Sequence, residues 1–241
     1  MGRRERSYAQ RLSIGGLGEE RIVACIELFK ELHGDRLLDI GCGDGTITVQ
    51  LMQSMGAREA FGVDIAREAV SAASRRGINA CCLDIDSGDL PFEDSCFDVV
   101  YCGEIIEHVF DPDHLLIQVR RVLRPGGLCV LTTPNLAGWP NRLALLLGFQ
   151  PYPMAVSPNH EGAGKLFLRG EEGQWGHIRV FTLKALKELI RRHGLAILSV
   201  KGSPVTIKST HVLVRPIRLL DRWLARFPAL ANRVILVLRK A

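Results

Sequence analysis

The chain has 241 residues, 47% of them hydrophobic, and a formal net charge of +5. That is enough apolar material for one sizeable core and is unlike a disordered or fibrous chain. No apolar run approaches the ~20 residues that cross a bilayer; the longest candidate is the short "LALLLGF" at Leu143–Phe149, so no membrane span is expected.

The N-terminal "MGRRERSYAQRLS" is basic but lacks the apolar core of a signal peptide, and Arg6 stands where a myristoylation motif needs Ser or Thr. A cytoplasmic protein is expected. The seven cysteines are odd in number, contain no Cys-x-x-Cys pair and fall partly in strand-like runs; buried, reduced thiols fit this best.

In chain order, Ile22, Val23, Ile26 and Phe29 at helical spacing predict a leading helix over Glu19–His33, stopped by Gly34. Strand-like and helix-like runs then alternate. "RLLDI" precedes a helix from Thr46, "AFGVDI" precedes a helix from Arg67, "INACCLDI" is a third strand and "FDVVYCG" a fourth. This is the pattern of an α/β, doubly wound, mostly parallel sheet with helices on both faces.

A helix over Pro112–Leu123 ends at "RPGG", and "LCVLTTP" supplies a fifth strand. Residues Asn135–Arg179 are rich in Gly, Pro, Asn and aromatics and too long for an ordinary loop, which predicts an inserted, partly helical cap. A helix over Leu183–His193, a strand "LAILSVKG", a basic amphipathic segment at Arg215–Phe227 and a last strand "RVILVLRK" follow. The expected organisation is one domain over 1–241: leading helices in 1–34, a core in 35–134, the cap in 135–180, and a helix and strands in 181–241.

The first βα turn, "LLDIGCGDGT", raises the question of its ligand. A Gly-rich turn before a helix N-terminus usually meets a phosphate. Here the third glycine of a dinucleotide fingerprint is replaced by Thr46, and Asp39 and Asp44 flank the turn. Two carboxylates would repel a pyrophosphate, which argues against a nicotinamide dehydrogenase. Acids beside backbone N–H groups suit a zwitterionic amino acid moiety, such as that of S-adenosylmethionine. Asp64 ends the next strand, twenty-five residues on, where an acid can accept from both ribose hydroxyls; its plainer reading is a helix N-cap. Asp84 ends the third strand in "LDID", placed to receive an adenine amino group, with Ile65 and Ile85 flanking the ring.

These stretches, with "LDIDSGDLPFEDSCFDVVYCGEIIEHV" and "RRVLRPGGLCVLTTPN", resemble the ordered motifs of class I S-adenosylmethionine-dependent methyltransferases, over about Arg36 to Asn135. The resemblance implies a Rossmann-like seven-stranded sheet, order 3-2-1-4-5-7-6, with the last strand antiparallel. It also implies S-adenosylmethionine as cofactor, S-adenosylhomocysteine as product, and cofactor roles for Asp39, Gly41, Gly43, Asp64, Ile65, Asp84, Ile85 and Glu104.

After the fourth strand, "CGEIIEHVFDP" brings Glu104, Glu107 and His108 to the sheet's carboxyl edge. Methyl transfer from a sulfonium is an in-line displacement, so an enzyme aligns the acceptor and, for a hydroxyl, removes its proton. His108 is the nearest candidate base; the alternative is a helix start with His108 packed under the cofactor. His177, in "WGHIRVF", is laid out like the H-x-x-x-F stretch of quinone-biosynthesis O-methyltransferases and would meet His108 over the substrate. In those enzymes, and in small-RNA 3′-terminal 2′-O-methyltransferases, the resembling Glu-x-x-Glu-His motif can hold a divalent metal. Metal dependence is not favoured here, since nothing beyond His177 adds a clear fourth ligand.

The cap aromatics Trp139, Phe149, Tyr152, Phe167 and Trp175 either line an acceptor pocket or form a second small core. From Arg191 onward there are eleven Lys and Arg against the single acid Asp221. Within that tail, Ile217, Leu220, Trp223, Leu224 and Phe227 share one helical face, while Arg218, Asp221 and Arg222 turn away. Such a helix either packs on the sheet or makes peripheral contact with a membrane. The expected function is methyl transfer to a small-molecule or lipid-linked acceptor, at oxygen. RNA 2′-O-methylation with a metal and a non-catalytic S-adenosylmethionine-binding interaction protein are the alternatives; no nucleic-acid-binding module is recognisable.

Overall fold

The structure is a computed structural model and describes residues 19–157, 160, 162–166, 176–205 and 215–240. Its elements are α1 (Glu20–Phe29), β1 (Arg36–Ile40), α2 (Thr46–Met55), β2 (Glu59–Asp64), α3 (Arg67–Arg75), β3 (Asn79–Cys82), β4 (Phe97–Gly103), α4 (Pro112–Val122) and β5 (Leu123–Pro134). They continue with α5 (Trp139–Leu146), α6 (Leu183–Arg192), β6 (Leu195–Ser203), α7 (Arg215–Leu224) and β7 (Arg233–Lys240). The seven strands form one sheet in the order β3-β2-β1-β4-β5-β7-β6. β7 runs antiparallel to both β5 and β6, and the pairs from β3 to β5 are parallel.

Strand periodicity explains how both faces are covered. Along β4, Val100 and Cys102 join a core with Leu115, Leu116 and Val119 of α4 and Leu186 and Ile190 of α6. Val99 and Tyr101 point the other way, into a core with Cys25, Leu28 and Phe29 of α1 and Leu51 of α2. β7 alternates likewise, Leu236 and Leu238 against Ile235 and Val237. Near-continuous apolar runs are what a sheet buried on both sides requires.

The chain leaves β1 toward β2 on one side and reaches β4 on the other, so the carboxyl ends of β1, β2 and β4 border the point where strand order reverses. Crevices form there in open α/β sheets. The glycine turn sits at this point. Gly45 has φ +79°, and a Cβ on it would meet Ile78 Cδ1 at 2.4 Å and the Ala73 backbone at 3.1 Å. Gly45→Ala is therefore expected to destabilise the fold by about 2 kcal/mol or more, read as a lowered denaturation midpoint with an unchanged denaturant slope.

Three local expectations differ from the structure. α1 ends at Phe29 rather than His33. β5 begins at Leu123, directly after α4, so that "RPGG" lies within it at a register shift between Phe97 and Val99, with Gly126 at φ +74°. Cys82 is exposed and Cys81 and Cys96 are only partly buried, although all seven thiols are free; β3 is the edge strand, and none of its four residues is fully buried. Among the described residues, no helix is long and apolar enough to cross a membrane.

Candidate cofactor and acceptor site

The glycine turn and β2 are joined through Asp64. Its Oδ2 accepts from the Gly43 N–H at 2.9 Å and its Oδ1 from the Ala66 N–H at 2.9 Å. The N–H groups of Gly41 and Cys42 donate to the Val63 carbonyl. Asp44 accepts from the Thr46 N–H and hydroxyl and pairs with Arg76 at 2.9 Å. The turn's amides are therefore engaged inside the protein, contrary to the expectation that they stand free for a carboxylate. What the turn offers instead is close approach: Gly41 has φ +84°, and a Cβ there would meet Ile105 Cδ1 at 3.2 Å.

A cleft opens over this turn, about 410 Å³ including open solvent. Gly41, Asp64, Ile65, Asp84 and Ile85 line it, with Ile105 and His108 at one side. Five of the ten site residues expected from sequence thus share one wall with His108. Its chemistry fits S-adenosylmethionine: two acids, Asp64 at the end of β2 and Asp84 two residues past β3, where a strand reaching Ile85 was expected, stand at its wall with Ile65 and Ile85 beside them.

Asp39 does not line the cleft. It is buried behind the turn, where its Oδ2 accepts from Thr48 Oγ1 at 2.6 Å. Burial first, and nearby Asp64 in addition, push its carboxyl up to about 7, against the lowering effect of the Thr48 hydroxyl.

Glu104 holds a left-handed conformation, φ 55°, in which a non-glycine residue is strained and which marks functional positions. Burial would raise its carboxyl. Arg233, donating at 2.9 Å, and Arg21, at 3.9 Å, outweigh that and hold it at about 2. Thr132 Oγ1 also donates to it. Arg21 reaches in from α1 and donates to the Tyr101 hydroxyl at 3.2 Å. Arg21 and Arg233 escaped the sequence reading. Arg21 carried a signal, since it lies one turn before Cys25 on the apolar face of its helix, whereas Arg233 carried none.

The cap returns to the sheet edge at Glu107. The Glu107 carbonyl accepts from the N–H groups of Ile178 and Arg179, at 2.8 and 3.2 Å, and the Arg179 guanidinium donates to the Phe110 carbonyl. These bonds bring His177 over His108, with ring centroids 4.7 Å apart. His108 Nδ1 lies 3.2 Å from the Gly176 carbonyl and His177 Nδ1 lies 2.7 Å from the Pro153 carbonyl. A carbonyl only accepts, so in each neutral ring Nδ1 carries the hydrogen and Nε2 presents a lone pair. The expected meeting of the two histidines is observed.

Beside them, Glu107 is fully buried. Its Oε2 accepts from Thr133 Oγ1 at 2.9 Å, while Oε1 has no hydrogen-bond partner among the described residues and lies 4.0 Å from His108 Nε2. Burial first, then the Glu104 charge, push the Glu107 carboxyl up to about 8. Glu107, His108 and His177 offer donor atoms within 4.8 Å of one another. One carboxylate and two imidazoles fit a divalent cation of the zinc or manganese kind. Glu104, expected beside them, is instead committed to its arginines.

Of the described cap aromatics, Trp139, Phe149 and Tyr152 do not line the cleft: Trp139 Nε1 donates to Asp221 at 2.7 Å, and Phe149 is 36% exposed. Phe167 and Trp175 lie outside the described residues.

Residues 38–131 match the model of a methyltransferase domain family. The 27-O-demethylrifamycin SV methyltransferase of Amycolatopsis mediterranei is 38% identical over 104 residues, 41% of this chain and 38% of that protein. Over this stretch the chain is similar to methyltransferase domains. The chain is also similar to the ubiquinone biosynthesis O-methyltransferase of Burkholderia thailandensis, 27% identical over 183 residues, 73% of this chain and 71% of that one. A chain of the complex between the Haloferax volcanii Trm112 methyltransferase activator and a methyltransferase matches with a TM-score of 0.68 at 19% identity. That match covers 100% of this chain and 98% of the other, a likeness of fold alone. The chain spans only about two-fifths, 37 to 39%, of the length of the first curated relatives that it matches.

Proposed function

We propose that the protein transfers a methyl group from S-adenosylmethionine to the oxygen of a small-molecule or lipid-linked acceptor. The observation that carries this reading is one cleft with Asp64 and Asp84 at its wall and His108, facing His177, at its side. The bound cofactor supplies the electrophilic methyl. Asp64 accepts from the ribose hydroxyls, Asp84 from the adenine amino group, and Ile65 and Ile85 flank the ring. Gly41 and Gly43 let the backbone approach, Asp39 supports the turn from behind, and Glu104 receives the cationic amino group, its negative charge kept at neutral pH by Arg21 and Arg233. His108 takes the acceptor's proton at Nε2, and the ring of His177, packed against it at 4.7 Å, holds it in place. Oxygen as the acceptor atom rests on the likeness to O-methyltransferases.

The test is incubation with S-adenosylmethionine labelled in its methyl group and a panel of phenols, alcohols and isoprenoid-linked phenols. Label in an ether product supports the reading. Binding of the cofactor without transfer to any acceptor would favour a non-catalytic binding protein instead.

A second reading adds a divalent cation, and the buried Glu107 Oε1, without a hydrogen-bond partner among the described residues, favours it. Glu107, His108 and His177 would hold the ion, which would lower the pKa of an acceptor hydroxyl. Titration with Mn²⁺ or Zn²⁺ of the chelator-treated protein decides: saturable binding at one site supports the cation, and unchanged turnover with no uptake rules it out.

A further inference from the structure

α7 joins the body by the opposite side from the one its pattern suggests. Asp221 and Ala225 face inward, 2% and 5% exposed. Asp221 accepts from Trp139 Nε1 and, at 2.6 Å, from the Val205 N–H. The apolar arc is turned to solvent: Ile217, Leu219, Leu220, Trp223 and Phe227 are each 46 to 60% exposed. Exposed Arg215 and Arg226 lie at the border of this arc, and Arg222 beside them is paired with Glu20 of α1 at 2.7 Å.

A second exposed run lies on α5 and just beyond it, where Leu143, Leu145, Leu146 and Leu147 are 44 to 82% exposed. The Trp139–Asp221 bond ties the two helices together. Scattered exposed apolar residues are ordinary on a protein surface. An exposed arc of four on α7 continued by Phe227, next to three leucines of α5 continued by Leu147, marks an interaction surface.

We propose that α7, with α5 beside it, docks the protein on the surface of an anionic bilayer. Charge complementarity selects this occupant. The only acid of α7 is turned inward and Glu20 of α1 offsets Arg222 alone, so the outer face is apolar with Arg215 and Arg226 beside it. From Arg191 onward the chain has eleven Lys and Arg against that one acid. A second copy would bring the same arginines against these, and like charges across an interface repel. An anionic headgroup layer takes the arginines, while Trp223 and Phe227, stacked edge to face at 5.5 Å, enter the acyl boundary. The docking surface goes beyond the proposed methyl transfer and does not depend on it. It bears on where acceptors enter, because the segment after α5 supplies the Pro153 carbonyl that holds His177.

The test is co-sedimentation of the full chain with vesicles of phosphatidylglycerol and phosphatidylcholine, against vesicles of phosphatidylcholine alone. The expected result is sedimentation with the anionic vesicles only, released at ~0.5 M NaCl. The double variant Trp223→Ser/Phe227→Ser should weaken it about tenfold or more, Arg226→Glu about fivefold or more, and Leu146→Glu should weaken it on the α5 side. All of these positions are exposed, so unchanged melting and unchanged S-adenosylhomocysteine binding are expected and separate this inference from the catalytic one. Equal binding to neutral vesicles, no binding to either, or variants that sediment like the parent would overturn it. So would a dimer in analytical ultracentrifugation that Trp223→Ser/Phe227→Ser dissolves, which would give the face to a second copy.

Discussion

His108→Ala is expected to lower turnover by about 10²- to 10⁴-fold, the usual contribution of a positioned general base. The ring is held by Gly176 through Nδ1, lies 8% exposed at the side of the cleft, and faces His177. Losing it removes the Nε2 lone pair without opening the core below, because Ile105, Ile106 and Val109 remain. The effect should fall on kcat, with the cofactor's dissociation constant little changed. His177→Ala should also be slow, and the double variant should be little worse than the poorer single one, as for residues that act as a unit. Steady-state kinetics of the three variants check this. An unchanged kcat in His108→Ala would mean that the histidine is packing under the cofactor and no more.

Glu104→Gln is expected to destabilise the protein by about 3 to 5 kcal/mol at neutral pH, the cost of leaving buried charges without their counter-charge. Glutamine keeps the shape but takes the negative partner from Arg233 and leaves Arg21 only Glu19, at 3.5 Å. The sign with pH follows from the lowered carboxyl, at about 2 against an ordinary 4.5. Its stabilisation is fully present above pH 4.5 and is lost as pH falls toward 2. The gap between parent and variant should therefore be full at pH 7 and much smaller near pH 3, measured by urea unfolding at both. A gap that does not change with pH would assign the loss to packing rather than charge.

The sheet was legible because its signals are local. Each strand of the core carries its own apolar run, and each βα turn carries its own breaker, so alternation alone led to the doubly wound arrangement. The cleft residues were legible for the same reason: Asp64 ends β2 and Asp84 lies two residues past β3, and the end of a strand in a parallel sheet is a place in space. What was not legible depends on contacts between distant segments. Periodicity says which residues of α7 share a face, not which face is inside. Asp221 was grouped with the arginines, yet Trp139, 82 residues away, claims it. Glu104 read as a free acid because its partners lie 83 residues before it and 129 residues after it. The turn's amides read as available because their acceptor, Val63, belongs to the next strand.

The central claim is that the cleft over "LLDIGCGDGT" holds S-adenosylmethionine through Asp64. Calorimetric titration of the parent and of Asp64→Ala with S-adenosylmethionine and S-adenosylhomocysteine tests it most directly. The account predicts binding of both by the parent, weakened about a hundredfold or more in the variant, which loses the acceptor of two charge-assisted bonds. No binding of either by the parent, or equal binding by Asp64→Ala, would contradict it.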